Sequence, residues 1–342
     1  MKNNVGRNER MYQKGRRREA LTIIAYLLCI ALILGGIIVL VNILSKDESE
    51  FDDGDLSAVE YKGEKYNNLN NLDTVLFIGY DDYSDKEDSP IDFDQSDFLF
   101  LLVVDKANGR YSTIHIDRDT MADVWKLTSD GKKASDEKEN MQIALSYAYG
   151  GGDVKTRSAN TINAVTDLLN GDLFMGRRVN HYVAFGMDSV GALNKAVGGV
   201  EVEVPYDIGD LKKTAEGEKV KLTDEQALNF VRARQTTEEP TNESRMARQR
   251  LFIEAFIEQF GEKAANDEDF IKRVVEDDLA SKVVSDDLTR VAEIAADAIK
   301  LETSGILTLE GEHKSDGEHM CFYPDKDKLA ELVLSVFYKK VG

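Results

Sequence analysis

The chain has 342 residues, of which 43 are basic and 63 acidic, so its formal net charge at pH 7 is −20. Nucleic acids and anionic lipid headgroups repel a protein of this charge, which argues against nucleic-acid binding. The only cysteines are Cys29 and Cys321, and Cys29 lies in an apolar run, so the sequence does not predict a disulfide-stapled secreted scaffold.

The N-terminal part of the chain predicts a membrane anchor. Residues 21–44 contain no charged side chain, and as a helix they would span about 36 Å, enough for a hydrocarbon core of about 30 Å. Mainly basic residues precede this run and acidic residues follow it, which places the N-terminus in the cytoplasm and the rest of the chain outside. We expect a basic cytoplasmic tail over 1–20, a transmembrane helix over 21–44 and a loosely ordered acidic stalk over 45–70. The alternative, a cleaved signal peptide, would have a shorter apolar region and a small-x-small cleavage site.

The residues after the stalk, 71–342, are predicted to form one domain outside the membrane. Continuous apolar runs at 74–78 and 98–104 predict buried strands, and alternation over 111–116 predicts a third. Because such runs suit strands covered on both faces, we expect an α/β fold with helices on each side of the sheet.

The remaining elements are predicted from periodicity and capping signals. Thr223 and Gln226 resemble a capping box that opens one helix, and Ser285 is the predicted N-cap of another over 286–299. Helices are expected over 138–149, 157–169, 189–197, 245–260, 266–300 and 325–338, and strands over 181–185, 200–204, 306–309 and 319–323, the last two at edges.

Acidic residues are concentrated between the first two predicted strands. The segment 81–97 holds eight carboxylates, offset only by Lys86. Asp81 follows the first strand and a glycine, Asp97 stands just before the second strand, and α/β proteins bind ligands at strand ends. Two carboxylates there suit Mg²⁺, which prefers oxygen ligands. For residues 82–94 taken alone, a solvated acidic loop is the favoured interpretation.

Arginines cluster in two distant segments of this acidic chain. A guanidinium group matches phosphate oxygens and stays charged, so the clustering predicts an anionic ligand, and we favour a pyrophosphate. Arg232 and Arg234 would share a face if they lie in an extended segment, and Arg245, Arg248 and Gln249 would share a face if they lie in the first turn of a helix. Ion pairs with neighbouring carboxylates are the alternative. The candidate phosphate ligands are Arg118, Arg232, Arg234, Arg245 and Arg248, with Gln249 orienting them.

Other familiar chemistries lack their motifs. The sequence contains no P-loop, no histidine pair with zinc-ligand spacing and no nucleophile elbow. Asp119 is a candidate general base.

Nine short motifs in order resemble the attenuator-type, membrane-anchored LytR–CpsA–Psr family of Gram-positive cell-envelope enzymes. The resemblance covers about residues 73–260, and the C-terminal helices more loosely. The motifs are LFIGYD (76–81), SD (96–97), IDRDT (116–120), YAYGG (147–151), HYV (181–183), GGV (198–200), EQAL (225–228), VRAR (231–234) and Arg245 with RQ (248–249).

The resemblance implies a fold, an activity and site residues. The expected fold is a single α-β-α sandwich with a central mixed sheet and a hydrophobic tunnel for a polyprenyl chain. The expected activity is Mg²⁺-dependent transfer of a glycopolymer, such as teichoic acid or capsule, from a polyprenyl-pyrophosphate carrier to peptidoglycan, outside the cytoplasmic membrane. By position, Asp81 and Asp97 correspond to the metal ligands. Arg118, Arg232, Arg234 and Arg245, with Gln249, correspond to the residues that hold the pyrophosphate.

Three positions depart from the family pattern. Gln95 stands where an arginine is usual, Asp117 where a proline is usual, and Asn242 where an aspartate is usual. These departures motivate an alternative, a non-catalytic regulatory envelope protein that binds polyprenyl pyrophosphate. A third hypothesis is a structural partner in an envelope complex.

Overall fold

The computed structural model describes residues 58–81, 94–171, 179–234, 237–267, 270, 274, 283–298 and 300–341. The predicted cytoplasmic tail, the predicted membrane helix over 21–44 and most of the predicted stalk lie outside these residues. Among the helices that are described, none is both long and apolar enough for a membrane crossing.

Fifteen strands and seven α-helices are present in the described residues. The strands are β1 (Val59–Tyr61), β2 (Glu64–Asn68), β3 (Asp73–Asp81), β4 (Gln95–Asp105), β5 (Arg110–Ile116), β6 (Met121–Val124), β7 (Glu139–Gln142), β8 (His181–Gly186), β9 (Glu201–Val202), β10 (Val220–Lys221), β11 (Val283–Ser285), β12 (Glu302–Thr308), β13 (Gly311–Ser315), β14 (Met320–Pro324) and β15 (Tyr338–Lys340). The helices are α1 (Leu145–Ala148), α2 (Val154–Asn170), α3 (Asp188–Ala196), α4 (Asp224–Arg232), α5 (Asn242–Asn266), α6 (Leu288–Ala298) and α7 (Lys326–Phe337).

A six-stranded mixed sheet in the order β11-β8-β3-β4-β5-β12 forms the centre of the fold. β4 is antiparallel to both of its neighbours, β3 and β5, whereas β8 is parallel to β3, and β12 is parallel to β5. β3 and β4 are buried along nearly their whole length, as their apolar runs predict. The expectation of an α/β fold with a central mixed sheet is confirmed.

Helices cover both faces of this sheet, because alternate residues of each central strand enter different cores. Phe77 and Phe100 pack with Phe230 of α4 and Phe256 of α5 on one face. On the other face, side chains of β3 and β4 pack against α2 and α7. We call the face that packs against α4 and α5 the α5 face. The candidate site lies at its end.

Two expectations about the N-terminal half are wrong. Residues 59–68 are not a loose stalk, since β1 pairs with β2, and β2 pairs with β15 near the C-terminus. Residues 138–149 do not form one helix: β7 pairs with β6, and only the four-residue α1 follows. Composition and helical periodicity do not reveal these strands, because β2 and β7 each pair with a strand from another part of the chain.

The C-terminal half also differs in places. Ser285 ends β11 instead of capping a helix, and its hydroxyl donates to the carbonyl of Tyr182 at 2.7 Å. The carboxylate of Asp287 accepts from the backbone N–H of Arg290 at the start of α6. β12 is an edge strand as expected, but β14 pairs with β13 in a separate hairpin.

Two helix starts follow from capping. The capping box of Thr223 and Gln226 is present at α4, as predicted. α5 begins at Asn242, three residues before the expected start, because the side chain of Thr241 accepts from the backbone N–H of Ser244.

A β-bulge in β4 sets the direction of one candidate metal ligand. Asp97 has no partner on β3, since Phe98 is opposite Gly79 and Ser96 is opposite Tyr80. A bulge lets two consecutive side chains leave the sheet on the same side, and both Phe98 and Asp97 contact the α5 face. A Cβ at Gly79 would lie 2.9 Å from the Cβ of Phe98, so this close approach requires glycine.

Candidate active site

The two candidate metal ligands lie at adjoining ends of neighbouring antiparallel strands. Asp81 is the last residue of β3, and it pairs with Gln95 at the start of β4. Asp97 follows two residues later and is brought to the α5 face by the bulge. Asp81 and Asp97 are each only 4% exposed. Carboxylates buried to this degree need a compensating positive charge.

Arg118 supplies part of that charge and joins several site residues. Its guanidinium donates to the carboxylate of Asp97 and to the side-chain carbonyl of Gln95, and its Nε lies 3.5 Å from Oδ1 of Asp119. Gln95, which replaces the usual arginine, therefore serves as an acceptor for Arg118. This guanidinium group thus links Asp97 to Asp119.

A tight turn after β5 presents Arg118. The side chain of Asp117 accepts from the backbone N–H of Asp119 at 2.8 Å, and the backbone N–H of Thr120 donates to the carbonyl of Asp117 at 3.0 Å. Such an Asx turn organises the backbone through a side-chain hydrogen bond, where proline would do so through its fixed φ. The Asp117 departure is therefore compatible with the turn that the site needs.

Arg232 and Arg234 reach the same region from the end of α4. Arg232 is the last helical residue, so the two arginines do not lie in one extended segment. Even so, Arg232 donates to the carboxylate of Asp81, and the guanidinium of Arg234 lies 4.0 Å from Oδ2 of Asp119. The structure brings both predicted residues to the site, each beside a different carboxylate.

Arg245 approaches from the first turn of α5. It is 3% exposed, and its guanidinium lies 3.5 Å from the carboxylate of Asp97. The side-chain carbonyl of Asn242 accepts from Arg245, and the amide of Asn242 donates to Asp117, which also lies 3.0 Å from Nε2 of His313. Two departures from the family pattern, Asp117 and Asn242, are thus in direct contact. The carboxylate that residue 242 lacks is replaced by one at residue 117.

Arg248 and Gln249 do not join this cluster. Arg248 is fully buried, and it donates to the backbone carbonyls of Phe230 and Ala233 and to the hydroxyl of Tyr206. Gln249 donates to the carbonyl of Val231 at 3.3 Å. The structure therefore does not support the prediction that Arg248 binds phosphate. Both side chains instead hold the end of α4 against α5.

We expect Arg248→Met to lower the free energy of unfolding by about 2–4 kcal/mol, because two buried carbonyls lose their donor. The matched change Arg234→Met, at a half-exposed position beside Asp119, should leave the melting temperature within a few degrees of wild type. Thermal denaturation monitored by circular dichroism measures both. A melting temperature unchanged by Arg248→Met would contradict the tethering role.

Sequence reasoning did not single out His115 as part of the site. It lies on β5 beside Phe98 and Phe100, 1% exposed. Burial, together with Arg250 and Arg245, lowers the pKa of His115 to about 3, so the imidazole is neutral at physiological pH. The alternation of β5 predicts its burial, but its arginine neighbours come from α5, more than 100 residues away.

A cavity of about 600 Å³ adjoins the arginine cluster. Its base is buried and contains Asp119 and the inner part of Arg118, whereas its rim is exposed and includes residues 318–320 of the β13–β14 hairpin. The cavity is lined by Gln95, Arg118, Asp119, Gln142, Leu145, Tyr149, Arg234, Pro240, Glu318, His319 and Met320.

The donor set of the site suits a hard cation only in part. No group of three or more His, Cys, Asp or Glu side chains is placed to hold a metal ion within the described ranges. Asp81 and Asp97 offer two carboxylates on the same face, and Mg²⁺ is commonly held by one or two carboxylates together with substrate phosphates and water. These residues therefore fit Mg²⁺ when a phosphate ligand completes the coordination.

Fold and site together define an α/β protein whose sheet end carries a buried cluster of arginine and aspartate side chains. A model of the LytR_cpsA_psr family matches residues 41–332, and the chain belongs to this family.

Curated relatives are teichoic acid transferases. The polyisoprenyl-teichoic acid–peptidoglycan teichoic acid transferase TagU of Bacillus mycoides (strain KBAB4) is 29% identical over 192 residues, covering 54% of this chain and 52% of TagU. The protein of the same name from Enterococcus faecalis is 27% identical over 221 residues, covering 62% of each chain. The chain thus spans about half the length of the first relative, TagU of Bacillus mycoides.

Solved structures share the fold. TagV of B. subtilis superposes with a TM-score of 0.55 at 20% identity, covering 78% of this chain and 95% of TagV. TagT bound to LI-WTA superposes with a TM-score of 0.54 at 18% identity, covering 85% of this chain and 93% of TagT. The protein gbs0355 from Streptococcus agalactiae superposes with a TM-score of 0.58 at 18% identity, covering 78% of this chain and 86% of gbs0355. At these identities the similarity shows the fold alone.

Proposed function

We propose that this protein is a phosphotransferase of the cell envelope, which moves a glycopolymer from a polyprenyl-pyrophosphate carrier to peptidoglycan. One observation carries the proposal: Arg118, Arg232, Arg234 and Arg245 converge on buried carboxylates at one end of the central sheet. Membership of the LytR_cpsA_psr family and the names of the TagU relatives support the same class of reaction.

The arrangement suits phosphoryl transfer because that reaction depends on positioning and charge neutralisation more than on covalent help from the protein. Guanidinium groups bind phosphate oxygens with paired hydrogen bonds. When bound by Asp81 and Asp97, Mg²⁺ would supply further neutralisation of oxygen charge. Arg118, Arg232, Arg234 and Arg245 are the groups that would bind the phosphoryl oxygens.

The lipid part of the donor needs an apolar path, and the polyprenyl tunnel stays a prediction. A second cavity, of about 750 Å³, lies between α3 and α5 and is lined in part by Val197, Phe270 and Val274. Lys195, Lys221 and Lys263 also line it, so its wall is mixed in character. The predicted membrane anchor over 21–44 would place the site beside the membrane that contains such a lipid.

A second function is favoured by one observation, the side chain at position 95. Gln95 accepts from Arg118 where an arginine would add a fifth positive charge. A site with less positive charge stabilises a phosphoryl transition state less, and the protein would then bind polyprenyl pyrophosphate in a regulatory role without turnover.

A transfer assay separates the two functions. The full-length protein in detergent is mixed with a short-chain polyprenyl-pyrophosphate saccharide, soluble peptidoglycan fragments and MgCl₂, and products are followed by mass spectrometry. A phosphodiester-linked saccharide–peptidoglycan product that is absent in EDTA is the expected result. Donor binding without any product, across several saccharides, would favour the regulatory function.

A further inference from the structure

The cavity beside Arg118 contains a carboxylate oxygen that lacks a hydrogen-bond donor in the part of the chain that the structure describes. The side chain of Asp119 is 2% exposed. Its Oδ1 accepts from the amide of Gln142 at 3.2 Å, whereas Oδ2 has no hydrogen-bond partner among the described residues. A buried carboxylate oxygen without a donor is unfavourable. A ligand hydroxyl in the cavity would supply the missing hydrogen bond.

This oxygen lies next to the predicted phosphate-binding groups. Arg118 contacts Asp97 and Gln95 through its terminal nitrogens and faces Asp119 through Nε. Arg234 lies 4.0 Å from Oδ2 of Asp119. A phosphoryl group bound by Arg118 and Arg234 would therefore lie beside any hydroxyl that donates to Asp119.

The rest of the cavity lining is suited to a saccharide. It combines the aromatic ring of Tyr149, the amide of Gln142, the carboxylate of Glu318 and the imidazole of His319. Ligand sites of this kind pair an aromatic surface, which packs on C–H groups, with a few polar groups that fix orientation. The cavity of about 600 Å³ is large enough for one or two sugar rings.

The β13–β14 hairpin builds the outer wall of this cavity. The amide of Gln142 donates to the carbonyl of Met320 at 2.8 Å, and the backbone N–H of Phe322 donates to the carbonyl of Asp119 at 2.8 Å. His313, in the middle of β13, contacts Asp117. The hairpin is thus fixed directly to the turn that carries Arg118 and Asp119.

We propose that this cavity binds the acceptor saccharide and that Asp119 is the general base for its attacking hydroxyl. The inference rests on the proposed function and adds the acceptor site to it. The O–H bond of the acceptor breaks, and its proton passes to Oδ2 of Asp119. The acceptor oxygen forms a bond to the phosphorus that bears the glycopolymer. The bond from that phosphorus to the bridging oxygen breaks, and polyprenyl monophosphate leaves with the electron pair.

The electrostatic setting of Asp119 is consistent with this role. Burial raises the pKa of Asp119, although the neighbouring Arg118 opposes the shift. A carboxylate with a raised pKa accepts a proton more readily than an exposed one, and general bases work best when their pKa approaches the working pH.

The test compares Asp119→Asn with Asp123→Asn in the full-length protein. Asp123 is exposed on β6 and lies outside the cavity lining. The probes are a short-chain polyprenyl-pyrophosphate saccharide as donor and a soluble peptidoglycan tetrasaccharide as acceptor. We expect Asp119→Asn to lower kcat for transfer at least 100-fold, with donor Kd within threefold of wild type, and Asp123→Asn to have no effect. Transfer by Asp119→Asn within threefold of wild type would overturn the assignment of the base.

The acceptor site has its own test, on exposed residues of the hairpin. Glu318→Ala should raise the KM for the tetrasaccharide about tenfold without changing donor Kd, whereas Glu312→Ala, on the same hairpin but outside the cavity lining, should not. Equal KM values in the two variants would overturn the acceptor site. If the wild type forms no product, the proposed function fails, and calorimetry of tetrasaccharide binding then decides the inference. Binding that Glu318→Ala weakens supports it, and absent or unaffected binding overturns it.

Discussion

Replacing Arg118 with alanine is expected to lower kcat for glycopolymer transfer about 100- to 1,000-fold, the usual effect of removing one donor that stabilises transition-state charge. The expectation follows from its position, because a single guanidinium group contacts Asp97, Gln95 and Asp119. Initial rates of product formation, measured by mass spectrometry with saturating donor, provide the measurement.

Arg110→Ala is the matched control for this change. Arg110 begins β5, at the end opposite to Arg118, and pairs with Asp105 at 3.2 Å. Arg110→Ala should lower the stability, because the buried carboxylate of Asp105 loses its ion pair, but it should leave the transfer activity unchanged. Equal activities for the Arg118 and Arg110 variants would remove Arg118 from the site.

The second large effect is expected for Asp97→Asn. Asp97 lies beside both Arg118 and Arg245, and it is one of two carboxylates that fit Mg²⁺. We expect transfer to fall at least 100-fold, and the MgCl₂ concentration needed for half-maximal rate to rise at least tenfold, because an amide is a weaker ligand for a hard cation. Rates across a MgCl₂ titration measure both effects.

Asp105→Asn separates this effect from general destabilisation. Asp105 lies at the other end of β4, is 3% exposed and forms an ion pair with Arg110. Both variants remove one buried charge from the same strand, so both should lower the melting temperature. Only Asp97→Asn should change the MgCl₂ dependence, and a parallel shift in Asp105→Asn would argue against a metal at Asp97.

Much of the central sheet was predictable because its signals are local. The apolar runs of β3 and β4 indicate burial on both faces, and the pair Thr223 and Gln226 indicates the start of α4. The order of the motifs also indicated the family, because motif order can be recognised without knowing which residues are in contact in the folded chain. These features are encoded within a few consecutive residues each.

The parts that were not predictable depend on contacts between distant segments. Residues 139–142 became a strand because β6 pairs with them, and helical periodicity carries no information about that partner. Arg248 is only three residues from Arg245, yet its guanidinium is directed to carbonyls at the end of α4. Helical spacing places residues around an axis but does not indicate what each side meets.

The contact of the β13–β14 hairpin with the site was likewise not predictable from local sequence. Asp117 and His313 are separated by nearly 200 residues and lie 3.0 Å apart. Read alone, Asp117 and Asn242 looked like two losses from the family pattern. Together they form one hydrogen-bonded unit with Arg245, which only the folded chain reveals.

The pairing of Arg232 with Asp81, and of Arg118 with Asp97, has a thermodynamic consequence. An anion that takes either arginine from its partner leaves a buried carboxylate with less compensating charge, and a cation that takes the carboxylate leaves the arginine with less. Each ligand therefore removes the obstacle to the other. Linkage then requires positive heterotropic cooperativity: the cation raises the affinity for the anion by the same factor as the anion raises the affinity for the cation.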